Sequence, residues 1–334
     1  MPSPDADRLL RLLVAPWVAR AVSLAARLRI PDRVAAGTVT ISALAAELDV
    51  QPEPLARLLR ALAGFGVLTG DDTGYALTAT GGLLRSDVPG SLRGLAELYG
   101  DDHFTRAWDQ LEDVLRTGKS GAQLAFGESV FDYLGAHPET ARTYDAGMSA
   151  VAAALGTLPE VYDLSGVSTV VDLAGGTGSL LAAVLRSVPD ARGVLVDLPH
   201  VAEAAARELA AAGLAERCTV VGGDIFERLP DGGDLYLLSR ILHDWDDDRC
   251  RALLATCRAA IRPGGTLLVV ERLVRDSGDQ TVPLVFDLHM MVMTDGRERT
   301  EAEYRELLAG AGFEPRDAVG LPLGFSALPG VATP

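Results

Sequence analysis

The stretch Leu237 to Cys250, LLSRILHDWDDDRC, sets one histidine and four aspartates within six consecutive positions, His243 to Asp248, directly after an apolar run. Three chemistries compete for it: a metal site, a catalytic base, or the solvated start of a helix. A calcium loop of the EF-hand kind needs a glycine at its sixth position and a glutamate at its twelfth, and DWDDDRCRALLA has neither. Consecutive aspartates on a helix point about 100° apart and cannot all face one ion. Asp246 to Asp248 fit an N-cap and first turn, where negative charge meets the positive end of the helix. His243 is either a core or capping residue or a base, since an imidazole with an ordinary pKa of about 6.5 is suited to proton transfer near neutrality.

A second set of residues points to ligand binding. VVDLAGGTGSLL (170–181) reads as a strand, a glycine-rich turn and a helix start. Glycines let backbone approach a ligand closely, and a helix N-terminus favours an anion. The dinucleotide fingerprint G-x-G-x-x-G fails, because counting from Gly176 and Gly178 the third position is Leu181, and there is no G-x-x-x-x-G-K-[ST] loop. Asp197, in VLVDLPH, lies 19 positions after Gly178, where a carboxylate closing the second strand can accept both hydroxyls of a ribose. Asp224, in VGGDIF, closes a third strand in the same way. Three neighbouring strand ends carrying an acid or a glycine turn make one nucleoside-sized crevice.

The elements that must position these residues follow from the periodicity. From Ser168 onward, apolar β-branched runs (168–174, 193–198, 218–223, 234–239 and 266–272) alternate with amphipathic runs (179–188, 200–213 and 247–261). That alternation predicts a mostly parallel sheet in a doubly wound α/β domain. Residues 1 to about 100 read as short helices and a hairpin. SALAAELDV (42–50) begins at a candidate N-cap, Ser42; QPEPLARLLRALAGFGVL follows; and two short strands flank Asp71–Gly74. This is a winged helix-turn-helix pattern. Residues 101–160 read as a helical bridge rich in aromatics, without a Gly/Ser linker. No fixed-period repeat is present.

The totals narrow the function. A chain of 334 residues suggests two domains, and a net charge of −16 opposes nucleic-acid and anionic-membrane partners. Between Thr40 and Arg85 the acids Glu47, Asp49, Glu53, Asp71 and Asp72 outnumber Arg57, Arg60 and Arg85, so the winged-helix pattern is a poor DNA-binding regulator. Asp5 and Asp7 stand where a signal peptide needs basic residues, and no run of 18 uncharged apolar residues occurs. Cys218, Cys250 and Cys257 show no metal-type pairing and are expected as buried free thiols of a cytoplasmic protein.

The blocks VVDLAGGTGSLL, VDLPH, GGDIF, LLSRILHDWDDDRC, RPGGTLLVVE and DGRERTEAEYRELLAGAGF occur in the order and spacing of the small-molecule S-adenosylmethionine-dependent O-methyltransferases. The chain resembles that family, which includes plant caffeate and flavonoid enzymes and bacterial polyketide-tailoring relatives, from about Leu9 to Phe325. The LHDW and GRERT blocks are more specific than the glycine turn.

The resemblance implies a winged-helix-like dimerisation domain (1–100), a helical bridge contributing to the acceptor pocket (101–160) and a Rossmann-like methyltransferase domain (161–334) with one antiparallel strand from FEPRDAVG or GFSAL. It implies S-adenosylmethionine as cofactor, no metal, and a homodimer. Asp172, Gly175 and Gly176 would lie along the methionine part of the cofactor, Asp197 and Leu198 at the ribose, and Gly223, Asp224 and Ile225 at the adenine, with Ser239, Arg240 and Trp245 completing the site. His243 would be the general base, supported by Glu271 and Glu298. Phe131, Met148, Asp244, Met290 and Met293 would face a flat aromatic acceptor, while His289 is expected on a helix surface. Ala174 stands where the family usually carries glycine, tolerable if its φ is negative. The expected reaction is in-line methyl transfer to a phenolic or polyketide-type hydroxyl. The alternative is cofactor-assisted hydroxylation or decarboxylation on the same fold, and the least favoured reading is the DNA-binding regulator.

Overall fold

The computed structural model describes residues 3–37, 40–71 and 73–334. Met1 and Pro2 of the N-terminal stretch and Asp72 of the expected turn lie outside them. The chain divides into two compact units: Met1–Thr105 with Glu139–Val151, and Arg106–Pro138 with Ala152–Pro334. Residues 106–138 and 152–160 fall in the second unit, and 101–105 and 139–151 in the first.

The first unit opens with a helix, Pro4–Arg27, that starts on a proline with Asp5 and Asp7 in its first turn. It packs against the helix Arg93–Leu98, and Arg20 donates to the Gly100 carbonyl at 2.8 Å. Among the described residues it is the one helix long and apolar enough to cross a membrane by length and composition, and Leu9, Leu10, Leu12, Leu13 and Trp17 stand exposed along it. The helices Ile41–Leu48 and Pro52–Gly64 are joined by a three-residue turn in which Asp49 takes a left-handed φ of 53°. The hairpin of β1 (Leu68–Asp71) and β2 (Gly74–Leu77) follows. Leu44, Leu59, Leu62, Leu68 and Tyr75 form the core beneath. The first of these helices is capped by Thr40, whose hydroxyl accepts from the Ala43 N–H at 3.3 Å; Ser42, the expected cap, lies inside the helix. Gly94 lets the helix Pro138–Ala154 approach this unit, since a Cβ there would lie 2.6 Å from the Ala146 carbonyl oxygen.

The second unit is a sheet with helices packed against it. Its strands are β3 (Thr169–Leu173), β4 (Arg192–Asp197), β5 (Cys218–Gly222), β6 (Leu235–Ser239), β7 (Thr266–Val274), β8 (Arg299–Thr300), β9 (Phe313–Pro315), β10 (Val319–Gly320) and β11 (Phe325–Ala332). The order is β10-β11-β7-β6-β3-β4-β5, with β8 beside β7 and β9 beside β11. Strands β3 to β7 are mutually parallel, and β11 runs antiparallel to β7. One strand, β11, runs against the rest of the sheet, as expected; β9 and β10 pair antiparallel with β11 and so run in the sense of β7, and FEPRDAVG and GFSAL both contribute strands.

The order reverses at β3, with β4 and β5 built to one side and β6 and β7 to the other. This is a topological switch point, where α/β sheets open a crevice at their carboxyl ends. The inner strands are buried along nearly their whole length, as parallel strands covered on both faces must be. The helices Ser179–Ser187, Pro199–Ala211 and Asp247–Ala260 cover the sheet with their apolar faces, and Leu253, Leu254 and Cys257 of the last are fully buried in the main core. Burial of this kind contributes about 25 cal/mol per Å² of apolar surface, which fixes the strand ends to a narrow geometry.

Candidate active site

All the strand-end residues singled out in the sequence stand on one edge of this sheet. Asp172 sits near the end of β3 and is buried to 1% exposure. Burial, with the charge of Asp197 nearby, pushes its carboxyl up to about 7 despite Arg240. Its Oδ2 is buried with no hydrogen-bond partner. Gly175 has to be glycine, because a Cβ would lie 2.5 Å from that oxygen. Gly176 takes a left-handed φ of 58° and donates its N–H to Asp197 Oδ2 at 2.8 Å, while the Leu198 N–H donates to Asp197 Oδ1 at 2.7 Å.

Ala174 has φ of 51°, so the condition for a harmless methyl is not met. Arg240, at the end of the adjacent β6, is also left-handed at 61°. Two non-glycine residues thus carry backbone strain at neighbouring strand ends, a feature that collects at ligand sites. Each is pinned by a main-chain bond, Ala174 N–H to the Val196 carbonyl at 2.7 Å and Arg240 N–H to the Val270 carbonyl at 2.9 Å.

Beyond β5, Asp224 is exposed and accepts the Phe226 N–H at 2.8 Å, while Ile225 is buried. Phe226 meets Trp245 edge to face with ring centroids 5.0 Å apart, and Phe131 lies stacked on Trp245 at 6.0 Å. The Arg249 guanidinium sits 3.8 Å from the Phe226 ring centroid. Phe226 and Arg249 are residues the sequence reading missed; only the aromatic after Asp224 was there to suggest the first.

The histidine lies in a short turn, Leu242–Asp244, after β6. His243 is buried, and its Nδ1 donates to Glu298 Oε1 at 3.1 Å with Glu271 Oε2 at 3.5 Å. Glu271, on β7 and fully buried, uses its other oxygen to accept the N–H groups of Ile241 at 3.0 Å and Leu242 at 2.9 Å. Asp244 Oδ1 stands 3.8 Å from Nε2. Burial opposes the imidazolium, but Glu271, Glu298 and Asp244 outweigh it and raise His243 to about 10. Burial likewise pushes Glu271 up to about 7 and Asp244 up to about 6, with His243 drawing both back down. The three carboxylates thus favour the protonated ring.

Asp246 caps the helix Asp247–Ala260 by accepting the Arg249 N–H at 2.8 Å, whereas Asp247 is ion-paired with Arg299 at 2.7 Å and does more than sit in a first turn. Met290 and Met293 are buried on the helix Thr281–Met293. His289, on the same helix, is half-buried rather than a surface residue, and its Nδ1 accepts from Trp108 Nε1 at 3.0 Å. Met148 lies on the helix Pro138–Ala154, in the first unit. Cys250 and Cys257 are buried free thiols and Cys218 is half-buried.

This crest is built like a site for a nucleoside-bearing methyl donor. The Asp172 carboxylate occupies the space a Cβ of Gly175 would fill, the space beside Gly176 is open, Asp172 Oδ2 and Ser239 Oγ are buried polar atoms awaiting partners, and two aromatic rings border the far end. The fold and the site together define a Rossmann-like methyltransferase. The chain belongs to the O-methyltransferase family: residues 108–314 match its O-methyltransferase domain and residues 10–87 its dimerisation domain. S-adenosylmethionine is the cofactor of this class. The chain is 43% identical over 326 residues to a 3-amino-4-hydroxybenzoate 4-O-methyltransferase of Streptomyces cremeus, covering 96% of this chain and 89% of the relative. It is 37% identical to the aclacinomycin 10-hydroxylase RdmB of Streptomyces purpurascens, covering 97% and 90%. The solved structure of LaPhzM superposes with a TM-score of 0.91 at 37% identity, covering 99% of this chain and all of that one.

His243, Glu271 and Glu298 offer ligand atoms within 4.8 Å of one another, a spacing that an ion can bridge. The His243–Glu298 hydrogen bond and the capping of the turn by Glu271 already account for this closeness. Prolonged dialysis against a chelator is expected to leave turnover unchanged; a loss restored by zinc would place an ion there. Replacing Ala174 with glycine removes the left-handed strain of a Cβ residue. Its urea unfolding is expected to show about 1 kcal/mol more stability, and a destabilised variant would show that the turn is relaxed as it stands.

Proposed function

We propose that the chain transfers the methyl group of S-adenosylmethionine to a hydroxyl of an aromatic secondary metabolite, with His243 as general base. The observation that carries this reading is the His243–Glu298–Glu271 cluster, held at the carboxyl edge of the sheet beside the glycine turn. When bound, the cofactor supplies a methyl group on a positively charged sulfur. Asp172, Gly175 and Gly176 would border its methionine part. Asp197 and Leu198 would hold the ribose, and Gly223, Asp224, Ile225 and Trp245 the adenine, with Ser239 and Arg240 between. Phe131, Met148, Asp244, Met290 and Met293 would line the acceptor.

A phenol has a pKa near 10, so its proton must leave as the oxygen bonds to carbon. Nδ1 is committed to Glu298, so Nε2 is the atom that takes it, and the carboxylates stabilise the cation that results. Because they raise the imidazole, the neutral base form grows as pH rises through that raised value. The acid limb of kcat/KM therefore lies above the ordinary imidazole value of about 6.5. Glu298→Gln removes one stabilising charge and is expected to move the limb to lower pH while lowering the plateau.

His243→Gln is expected to bind S-adenosylmethionine by calorimetry as the wild type does and to lose about 100- to 10,000-fold in kcat. Full turnover in this variant would remove the base role. The hydroxylase relative motivates a second reading, in which the bound cofactor assists hydroxylation. Mass spectrometry of products separates the two: gain of a methylene supports methyl transfer, and gain of one oxygen supports the alternative.

The domain assignment (1–100 for dimerisation, 101–160 toward the acceptor, 161–334 for the cofactor) belongs to the same proposal. The free thiols suit a reducing, cytoplasmic compartment. The exposed apolar row Leu9, Leu12, Leu13 and Trp17 would bind a second copy. Leu13→Asp is expected to shift the sedimentation coefficient from dimer toward monomer at micromolar protein, and an unchanged dimer would move the interface elsewhere.

A further inference from the structure

We infer that Arg299 is the positioning residue of the catalytic turn, clamping the backbone on both sides of His243 and holding Trp245 in the same register. The inference rests on the functional reading above for its catalytic consequence, and on geometry alone for the clamp.

Arg299 follows Glu298 and is fully buried. A guanidinium has five N–H donors in a rigid fork, and all five are used here. Nε donates to Asp247 Oδ1 at 3.0 Å, and Nη2 donates to the same oxygen at 2.7 Å and to the Trp245 carbonyl at 2.8 Å. Nη1 donates to the Leu242 carbonyl at 2.9 Å and to the Arg297 carbonyl at 3.4 Å. The two carbonyls from the catalytic segment bracket His243 and Asp244. The amides at the other end of the same turn, from Ile241 and Leu242, are taken by Glu271. The turn is thus held with a carboxylate at its amide end and a cation at its carbonyl end, the sense that its backbone dipoles favour. Cys250 adds a thiol bond to the Leu242 carbonyl at 3.2 Å.

The segment bearing Arg299 also lies directly on the turn. A Cβ at Gly296 would stand 1.9 Å from the His243 carbonyl oxygen, so the two backbones are in contact. One short stretch therefore supplies the backbone seat (Gly296), the ring partner (Glu298) and the clamp (Arg299). Trp245, whose carbonyl is held by the clamp, faces Phe226 and Phe131. Aim of the imidazole and placement of the indole share one support. Lysine cannot replace it, because three donors on one nitrogen cannot span two carbonyls and a carboxylate.

The test is Arg299→Lys in the full-length protein, which keeps the buried charge. A misplacement of the base by about 1 Å costs about 100-fold, so kcat is expected to fall about 10- to 100-fold with a smaller change in acceptor KM. The acid limb of the pH profile should stay where it is in the wild type, because Glu271, Glu298 and Asp244 remain. Amide hydrogen exchange across 241–246 should quicken. A folded variant with kcat within about twofold of wild type overturns the inference, as does a kcat loss with unchanged exchange in that segment. If Arg299→Lys does not fold, Asp247→Asn carries the same exchange readout: faster exchange in 241–246 supports the clamp and unchanged exchange overturns it. If the wild type transfers no methyl group to any aromatic acceptor, the functional reading fails, while the exchange comparison still decides the clamp.

Discussion

The hydrogen bond from His243 Nδ1 to Glu298 Oε1, 3.1 Å long and buried, joins two segments 55 residues apart. It exists only because the sheet, the turn after β6 and the GRERT segment all take their places. Three acidic side chains surround one largely buried imidazole. In such surroundings an isolated carboxylate would take up a proton and an isolated imidazolium would lose one. Together they do better: the cation is paid for by its neighbours, and Glu271 and Asp244 rise toward 7 and 6 while His243 rises to about 10. The acids favour the protonated ring, and the neutral form that can accept a proton at Nε2 grows as pH rises.

The remainder of the second unit can be understood as what holds that cluster beside a cofactor crevice. Reversal of strand order at β3 opens the crevice, and the buried parallel strands hold its rim rigid. Rigidity is tight enough to keep Ala174 and Arg240 in left-handed conformations on adjacent strands. Glu271 serves both halves, because β7 carries it to the rim, where one oxygen caps the turn and the other approaches the imidazole. The family assignment gives the class of chemistry and the rim gives the residues placed to carry it, which matters because a fold of this kind hosts many reactions.

Much of this was legible in the sequence. Apolar runs alternating with amphipathic ones locate β3 to β7 to within a residue or two, since buried parallel strands admit few polar side chains. The glycine turn, the acids at 172, 197 and 224, and the HDW and GRERT blocks are local signals that survive without coordinates. What was not legible depends on pairing at long range. Nothing near Arg299 announces that its fork will meet carbonyls 54 and 57 residues earlier. Asp247 reads as one more first-turn acid until that guanidinium arrives. The short β9 and β10 have no periodicity of their own and form because β11 offers them an edge. At Thr40 and Ser42 two good capping residues stood two positions apart, and the hydroxyl that reached an amide three residues on became the cap.

The most direct measurement of the central claim is a pH titration of the His243 ring by nitrogen-15 NMR, with the other histidines replaced or assigned. The account predicts an imidazolium that persists through neutral pH, with its Nδ1 proton shifted downfield by the bond to Glu298 and a titration near 10. A ring that is neutral at pH 7 and titrates at or below the ordinary value of about 6.5 would contradict it.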